Sequence, residues 1–376
     1  MGIRFIHTAD WQIGRAFRMF DAQTAIPLEE ARLACIDEIG KAAADGGAAH
    51  VVVAGDVYDS PDLSSKTLRQ LLERMRLRTD VSWWLLPGNH DPARAGGVWD
   101  RIATLGVPDN VVALTQPGVC ELAPGVSLLS APLIARSFAR DPTEWMNECE
   151  TPSGSIRIGL AHGSIKSFGS DGAEAVIDPV RAATARLDYL ALGDWHGTTE
   201  VNARTWYAGT PEPDRFRDND PGNVLLVSID GPGAVPVVQR RRTGRYTWVA
   251  ETVEITDVTR LAQIEQALLA HAPQSNGLLV QLALTGRLPV SAHGVLADWR
   301  DSLDAKLRYL EVDTSGLAVS IGNDDFDLLG DDAALRDIAG RLGQVAGDEA
   351  SPKQAAAKMA VAKLFDLTRR VREVRS

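Results

Sequence analysis

Val51-Val52-Val53-Ala54-Gly55-Asp56-Val57-Tyr58-Asp59 is the stretch from which the rest of the chain is read. Four small or branched apolar residues run unbroken into Gly-Asp, and a second Asp follows three positions on. An apolar run of this length, ended by glycine, predicts a parallel strand buried on both faces that stops at a sharp turn. In open α/β sheets, ligands sit beyond the carboxyl ends of the strands. Asp56 is therefore expected at a sheet rim, where a carboxylate is costly unless it is paired or metal-bound. The rest of the chain should supply its partners.

Working outward, Ile3 to His7 reads as a short strand and is followed by Thr8-Ala9-Asp10-Trp11-Gln12. A helix is predicted over 27–44, with Pro27 at its start and Gly46-Gly47 after its end. A second helix is predicted over 63–77, and a strand over 81–86 runs into Pro87-Gly88-Asn89-His90-Asp91. This order is a βαβαβ unit with a parallel sheet. Past a short helix at 99–105, the pattern changes to short strands with turns at Pro117-Gly118 and Pro124-Gly125. Further strands are predicted at 155–161, 187–192, 206–211 and 224–229. The expected fold class is α/β. A two-layer β-sandwich flanked by helices spans 1–245, a small α+β cap domain 246–325 and a helical C-terminal tail 326–376. In the tail, Gly340, Gly343 and Gly347 are expected to break the helix before an amphipathic stretch at 353–374.

Composition narrows the class. The chain has 376 residues, 45% of them hydrophobic, enough for a sizeable core and more than one domain. No segment approaches the ~18 consecutive apolar residues of a membrane helix, and the N-terminus carries no signal-peptide pattern. Cys35, Cys120 and Cys149 are too few and too odd a set for a disulfide framework, so a cytoplasmic location is expected. The net charge of −11 does not mark a nucleic-acid binder. Basic residues nevertheless cluster at Arg240-Arg241-Arg242 with Arg245. A second cluster lies between Ser351 and Ser376, where seven Lys/Arg stand against Asp366 and Glu373. Either cluster is a solvated face or a phosphate-contacting one.

Five short motifs each follow a predicted strand and carry side chains able to bind metal. They are Asp10-Trp11-Gln12, Gly55-Asp56, Gly88-Asn89-His90-Asp91, Ala161-His162-Gly163 and Gly193-Asp194-Trp195-His196. In extended backbone, residues i and i+2 point the same way, so Asp10 pairs with Gln12 and Asp194 with His196. A single His or Asp at a strand end is ordinarily a core histidine or a turn residue. The ordered set of five is more specific. Of the seven histidines, His7, His50, His271 and His293 fall outside it and read as structural, with His7 near enough to Asp10 to support it.

The chain resembles the calcineurin-like metallophosphoesterases, and within them the SbcD/Mre-type DNA repair exonucleases. The resemblance is carried by His7-Thr8-Ala9-Asp10-Trp11, Gly55 to Asp59, Leu86 to Asp91, Gly159 to Gly163 and Tyr189 to His196, with Tyr207 to Pro211 following. It covers approximately residues 1–245. It implies two divalent metal ions sharing Asp56, with Asp10, Gln12 and His196 completing one site and Asn89, His162 and Asp194 the other. The catalytic residues it implies are His90, facing the scissile phosphate, and Asp91, which with Asp59 orients the site from behind. The family usually has His at the positions of Gln12 and Asp194. Both replacements put oxygen where nitrogen is usual, which moves the expected metal toward Mn²⁺ or Mg²⁺. They leave open one firm and one labile site.

The resemblance implies a metal-dependent DNA nuclease, an exonuclease with single-strand endonuclease activity. It would act in DNA repair with an SbcC/Rad-type coiled-coil ATPase subunit, and a homodimer is compatible with it. The tail would dock on the ATPase. Two alternatives stay open: a small-molecule phosphodiesterase or phosphatase on the same scaffold, and a non-catalytic subunit that binds DNA or a partner.

Overall fold

The computed structural model of the protein describes residues 2–136, 139–165, 175–289, 292–320, 329, 332–348 and 350–375. The chain divides into two compact units, Met1–Tyr246 and Thr247–Ser376.

The first unit holds two six-stranded sheets. In the first, β1 (Ile3–Thr8), β2 (His50–Val53), β3 (Ser82–Leu85) and β4 (Val111–Ala113) lie side by side and parallel. The second contains β5 (Gly118–Ala123), β6 (Val126–Ala131), β7 (Ile156–His162), β8 (Tyr189–Gly193), β9 (Thr199–Asn202) and β10 (Thr205–Tyr207). Its order is β5-β6-β7-β8-β10-β9, with β6, β7, β8 and β10 parallel. Two antiparallel strands, β11 (Asn223–Ile229) and β12 (Val237–Arg242), extend the first sheet beyond β1. This is the expected two-layer sandwich.

Burial explains why β1 to β3 are so uniformly apolar. Between the sheets, Phe5, Val52 and Trp84 meet Leu128, Ile158 and Tyr189. On the outer face, Ile6, Val51 and Trp83 are covered by α1 (Ala22–Gly46), α2 (Ser65–Arg76) and α3 (Val98–Leu105), through residues such as Ile36, Leu68 and Ile102. A short α4 (Arg181–Thr184) leads into β8.

The structure differs from the sequence reading in three places. Helix α1 starts at Ala22 rather than Pro27, because the Asp21 side chain accepts the Thr24 N–H and caps it there. Proline thus sits inside the helix, where its missing N–H removes one bond near the start. The Arg240 to Arg242 run is an exposed face, but it is carried on an edge strand paired with β11, which the sequence reading did not assign. Within it, Arg240 pairs with Asp220 at 2.7 Å, while Arg242 donates to the carbonyls of Pro221 and Tyr246.

The second unit is built on three parallel strands, β13 (Thr247–Ile255), β14 (Leu278–Pro289) and β15 (Tyr309–Ser320). Helices α5 (Leu261–Leu269) and α6 (Ala292–Asp304) cover one face, packing Leu261, Ile264, Leu268, Leu296 and Leu303 on Val249, Val280 and Leu282. Residues that alternate with these carry the other face, where Gln281, Glu311 and Asp313 lie together. Two further helices, α7 (Ala333–Gly347) and α8 (Gln354–Arg375), pack through Ala339, Val361 and Phe365. Here lies the third difference: Gly340 and Gly343 are inside α7 and do not break it, and only Gly347 ends it. The expected boundary at 325/326 and the side chains of Arg369, Arg370, Arg372 and Arg375 lie outside the described residues. No helix is long and apolar enough to cross a membrane among the described residues.

Candidate metal centre

Each of the five motifs emerges from the carboxyl end of a central strand. Asp10 and Gln12 follow β1, Asp56 follows β2, and Asn89 and His90 follow β3. His162 ends β7, and Asp194 and His196 follow β8. Since β1 to β3 adjoin in one sheet and β7 to β8 in the other, the topology brings the motifs to one edge of the sandwich. Close approach there depends on glycine. A Cβ at Gly55, whose φ is +91°, would sit 2.2 Å from His162 Nδ1, and one at Gly88 would sit 2.2 Å from Asp56 Oδ1.

The loops are bonded to one another through the backbone: Asp10 N–H to Gly55 O at 3.1 Å and Gln12 N–H to Asp56 O at 2.8 Å. The backbone is also strained where the site residues stand. Asp10, Gln12, Asp56 and Asp194 have φ of 54°, 43°, 52° and 101°, four of the seven described non-glycine residues with positive φ. Such conformations persist only where the surroundings enforce them, and they gather at functional sites.

Asp10, Asp56 and His162 are buried and offer ligand atoms within 4.8 Å of one another. The His162 Nδ1–H donates to the Ala54 carbonyl at 2.8 Å, so Nε2 is turned toward the carboxylates. Nε2 lies 3.5 Å from Asp56 Oδ1 and 3.9 Å from Asp194 Oδ1, and has no hydrogen-bond partner among the described residues. The buried Asn89 Oδ1 likewise has none. Burial pushes the Asp10 carboxyl up to about 6, against the pull of His196 and His162. Asp194 is also raised by burial. Burial works against charge on His162, but Asp56, Asp10 and Asp194 outweigh it and hold the ring at about 9. Crowded carboxylates, an orphaned imidazole nitrogen and an orphaned amide oxygen suit a divalent cation.

Above the cradle, a cleft of about 350 Å³ is lined by Asp56, Asn89, His90, Asp194 and His196. The His90 Nδ1–H donates to the Asp59 carbonyl at 2.9 Å, and Nε2 stands 4.0 Å from Asp56 Oδ2. Asp91, expected to orient the site from behind, lies under the turn. Its carboxylate accepts the N–H groups of Gly88 and Tyr58, at 2.7 and 3.0 Å, so it shapes the loop rather than facing the cleft. His7 is bound to the Tyr189 hydroxyl at 2.9 Å and the Leu192 carbonyl at 3.1 Å, and burial drops it to about 3. It is a neutral tie between the two sheets. Trp11 is fully buried and meets Trp83 edge-on.

Several site residues were not singled out from the sequence. Buried Asp214 Oδ2 lies 3.1 Å from His196 Nδ1, and Arg215 Nη2 is 3.1 Å from both that oxygen and that ring nitrogen. Arg15 joins Gln12, Asp59 and Asp214. Arg217 lies over the Trp195 ring at 4.9 Å on the cleft rim. Arg32, only 1% exposed, donates to the carbonyls of Trp11 and Glu212 at 2.7 and 2.9 Å, joining the Asp10 loop to the one that bears Asp214. The one available signal was the run Pro211-Glu212-Pro213-Asp214-Arg215-Phe216-Arg217, where stiff and charged residues alternate just past the last motif.

None of the curated proteins compared with the chain matches it. Among solved structures, a crystal structure of TT1561 from Thermus thermophilus is similar at 14% identity, with a TM-score of 0.40 over 65% of this chain and 100% of that one. The family model described as calcineurin-like phosphoesterase matches residues 3–198, the stretch that contains all five motifs. The chain therefore belongs to the calcineurin-like phosphoesterases, a family of hydrolases that work with divalent metals.

Proposed function

We propose that the protein is a metal-dependent phosphodiesterase whose substrate is DNA, a nuclease of the repair class. The observation that carries the hydrolytic reading is the buried set Asp10, Asp56 and His162 opening into a cleft with His90 on its rim. A divalent cation held there polarises a bound phosphate and acidifies a water next to it. Asp10, Asp56 and His162 would hold the ion, with Asn89 Oδ1 and Asp194 beside them. His196 is oriented by Asp214. His90 has its Nδ1–H anchored on a carbonyl, so its Nε2–H, in the protonated ring, can be given to the leaving oxygen as the P–O bond breaks.

A nucleic-acid substrate is favoured by the rim. Arg15, Arg215 and Arg217 surround the cleft, and the Arg217–Trp195 pair offers a flat, cationic platform suited to a phosphate with a base attached. The open face of Glu311 and Asp313 in the second unit is unsuited to phosphate contact, so DNA affinity falls to the cleft rim and to a partner. An SbcC/Rad-type ATPase engaging α7 and α8 is the partner that the motif resemblance implies.

The test is Mn²⁺-dependent digestion of end-labelled duplex and single-stranded DNA, with Asp56→Asn as control. Cleavage that disappears in the variant and weakens steeply with salt is expected. Hydrolysis of bis(p-nitrophenyl) phosphate with both DNAs left intact would instead make the protein a small-molecule phosphodiesterase.

A further inference from the structure

On one side of the cradle, the space between Asp56 and His196 is filled by this chain's own amide. Gln12 Oε1 accepts a hydrogen bond from Arg15 Nη1 at 2.5 Å. Arg15 cannot easily withdraw, since Asp214 Oδ2 at 3.2 Å and Asp59 Oδ1 at 3.7 Å hold it in place. With its oxygen committed, the amide turns its nitrogen inward. Nε2 lies 3.3 Å from Asp56 Oδ2 and 3.4 Å from His196 Nε2. His196 Nδ1 lies 3.1 Å from both Asp214 Oδ2 and Arg215 Nη2, and its Nε2 faces Gln12. The NH₂ group therefore donates to one carboxylate oxygen and faces one imidazole nitrogen. Exchanging the amide's O and N would set NH₂ against the guanidinium and oxygen against the Asp56 carboxylate, so these two contacts admit one orientation.

We propose that the Gln12 amide, locked by Arg15, takes the place of a second metal ion, and that this chain works with a mononuclear centre on Asp10, Asp56 and His162. The inference rests on the metal-dependent reading above and deepens it. A cation between Asp56 and His196 would face two N–H dipoles aimed at it. To gain Oε1 as a ligand it would have to turn the amide over and break the Arg15 bond. A charge-assisted hydrogen bond of this kind weakens the competing state by roughly ten- to a hundredfold. Asp194, on the opposite side, keeps an oxygen within 3.9 Å of His162 Nε2 and adds negative charge to the site that remains. Positive charge that a second ion would bring to the phosphate is then supplied by side chains, with Arg15 and Arg215 already on the cleft. Arg15 is in this scheme a positioning residue, acting through Gln12.

The experiment is a Mn²⁺ titration of metal-free full-length protein, followed by native mass spectrometry and electron paramagnetic resonance. Wild type should take up one ion per chain with the hyperfine pattern of an isolated Mn²⁺. Gln12→His should take up two, with the spectrum of an exchange-coupled pair. Arg15→Ala, which frees the amide to turn, should gain the second ion at higher Mn²⁺ concentration. Two coupled ions in wild type overturn the inference and leave the phosphodiesterase reading intact. One ion in wild type and in both variants overturns the role given to Gln12. A single bound ion with no hydrolysis of any phosphodiester overturns the functional reading while the metal count stands.

Discussion

Arg32→Met removes the only described buried cation that ties the Asp10 loop to the loop carrying Asp214. Arg32 lies on α1, is 1% exposed, and gives two short hydrogen bonds, to Trp11 O at 2.7 Å and Glu212 O at 2.9 Å. Longer contacts reach Asp10 O at 3.4 Å and Thr210 Oγ1 at 3.3 Å. Hydrogen bonds from a charged donor are worth ~1.5–3 kcal/mol each, so the two short ones sum to roughly 3–6 kcal/mol. Losing the buried charge returns part of its desolvation cost, leaving a net loss of about 2–4 kcal/mol. In a unit of this size each kcal/mol lowers Tm by ~2–4 °C, so a fall of about 4–16 °C is expected. The loss should extend to function, because Arg32 also fastens the carbonyl next to Gln12 and the positive φ of Asp10 and Gln12 must be held against strain. Differential scanning calorimetry and a Mn²⁺ titration on the same sample check both effects. A Tm within ~1 °C of wild type, or an unchanged Mn²⁺ affinity, would refute the view that this guanidinium organises the site.

Three other outcomes follow from particular contacts. His90→Ala should keep the wild-type Mn²⁺ stoichiometry and lower hydrolysis by ~10²–10⁴-fold, as for a general acid; lost metal would place His90 among the ligands instead. Gly55→Ala puts a Cβ 2.2 Å from His162 Nδ1 at a φ of +91°, so urea unfolding should show a loss of more than ~3 kcal/mol. Asp141 is pushed up by burial, but bonds from Thr143, Arg181 and the Asp178 amide outweigh this and hold it below the usual carboxylate range. A depressed carboxyl stabilises the fold above its unfolded pKa and loses that contribution as pH falls through the folded one. Asp141→Asn should therefore cost about 1–3 kcal/mol at pH 7, the gap to wild type closing below about pH 4; a gap constant across that range would remove the carboxylate from the account.

How far the sequence could be read depended on the range of the interactions involved. The Val51 to Asp59 stretch announced its strand because β2 is buried on both faces, and that leaves only apolar residues before the turn. The five strand-end motifs were legible for the same reason: glycine and a polar residue interrupt an apolar run at a rim. Asp91 was given an orienting role by the motif resemblance alone; the means, two N–H groups of its own and a neighbouring loop, is a contact that the local sequence does not spell out. Arg240 to Arg242 looked like a charged face, since edge strands tolerate charge and their pairing partner lies elsewhere in the chain. The residues missed, Arg32 and Asp214, act over sequence separations of 180 and 18 residues, on Glu212 and His196. No local pattern encodes such distances.

Gln12 brings these points together. Its type alone permits a metal ligand, because an amide oxygen can coordinate and the i, i+2 spacing from Asp10 is right. Which end of the amide faces the cradle is decided by Arg15, three residues on, and Arg15 is in turn held by Asp214 from a distant loop. His196, on the far side, has its Nδ1 3.1 Å from that same Asp214. One buried carboxylate thus holds both neighbours of Gln12, Arg15 and His196. Replacing Gln12 in isolation alters one member of this set, whereas replacing Asp214 releases Arg15 and His196 together, so the two changes are expected to be strongly non-additive.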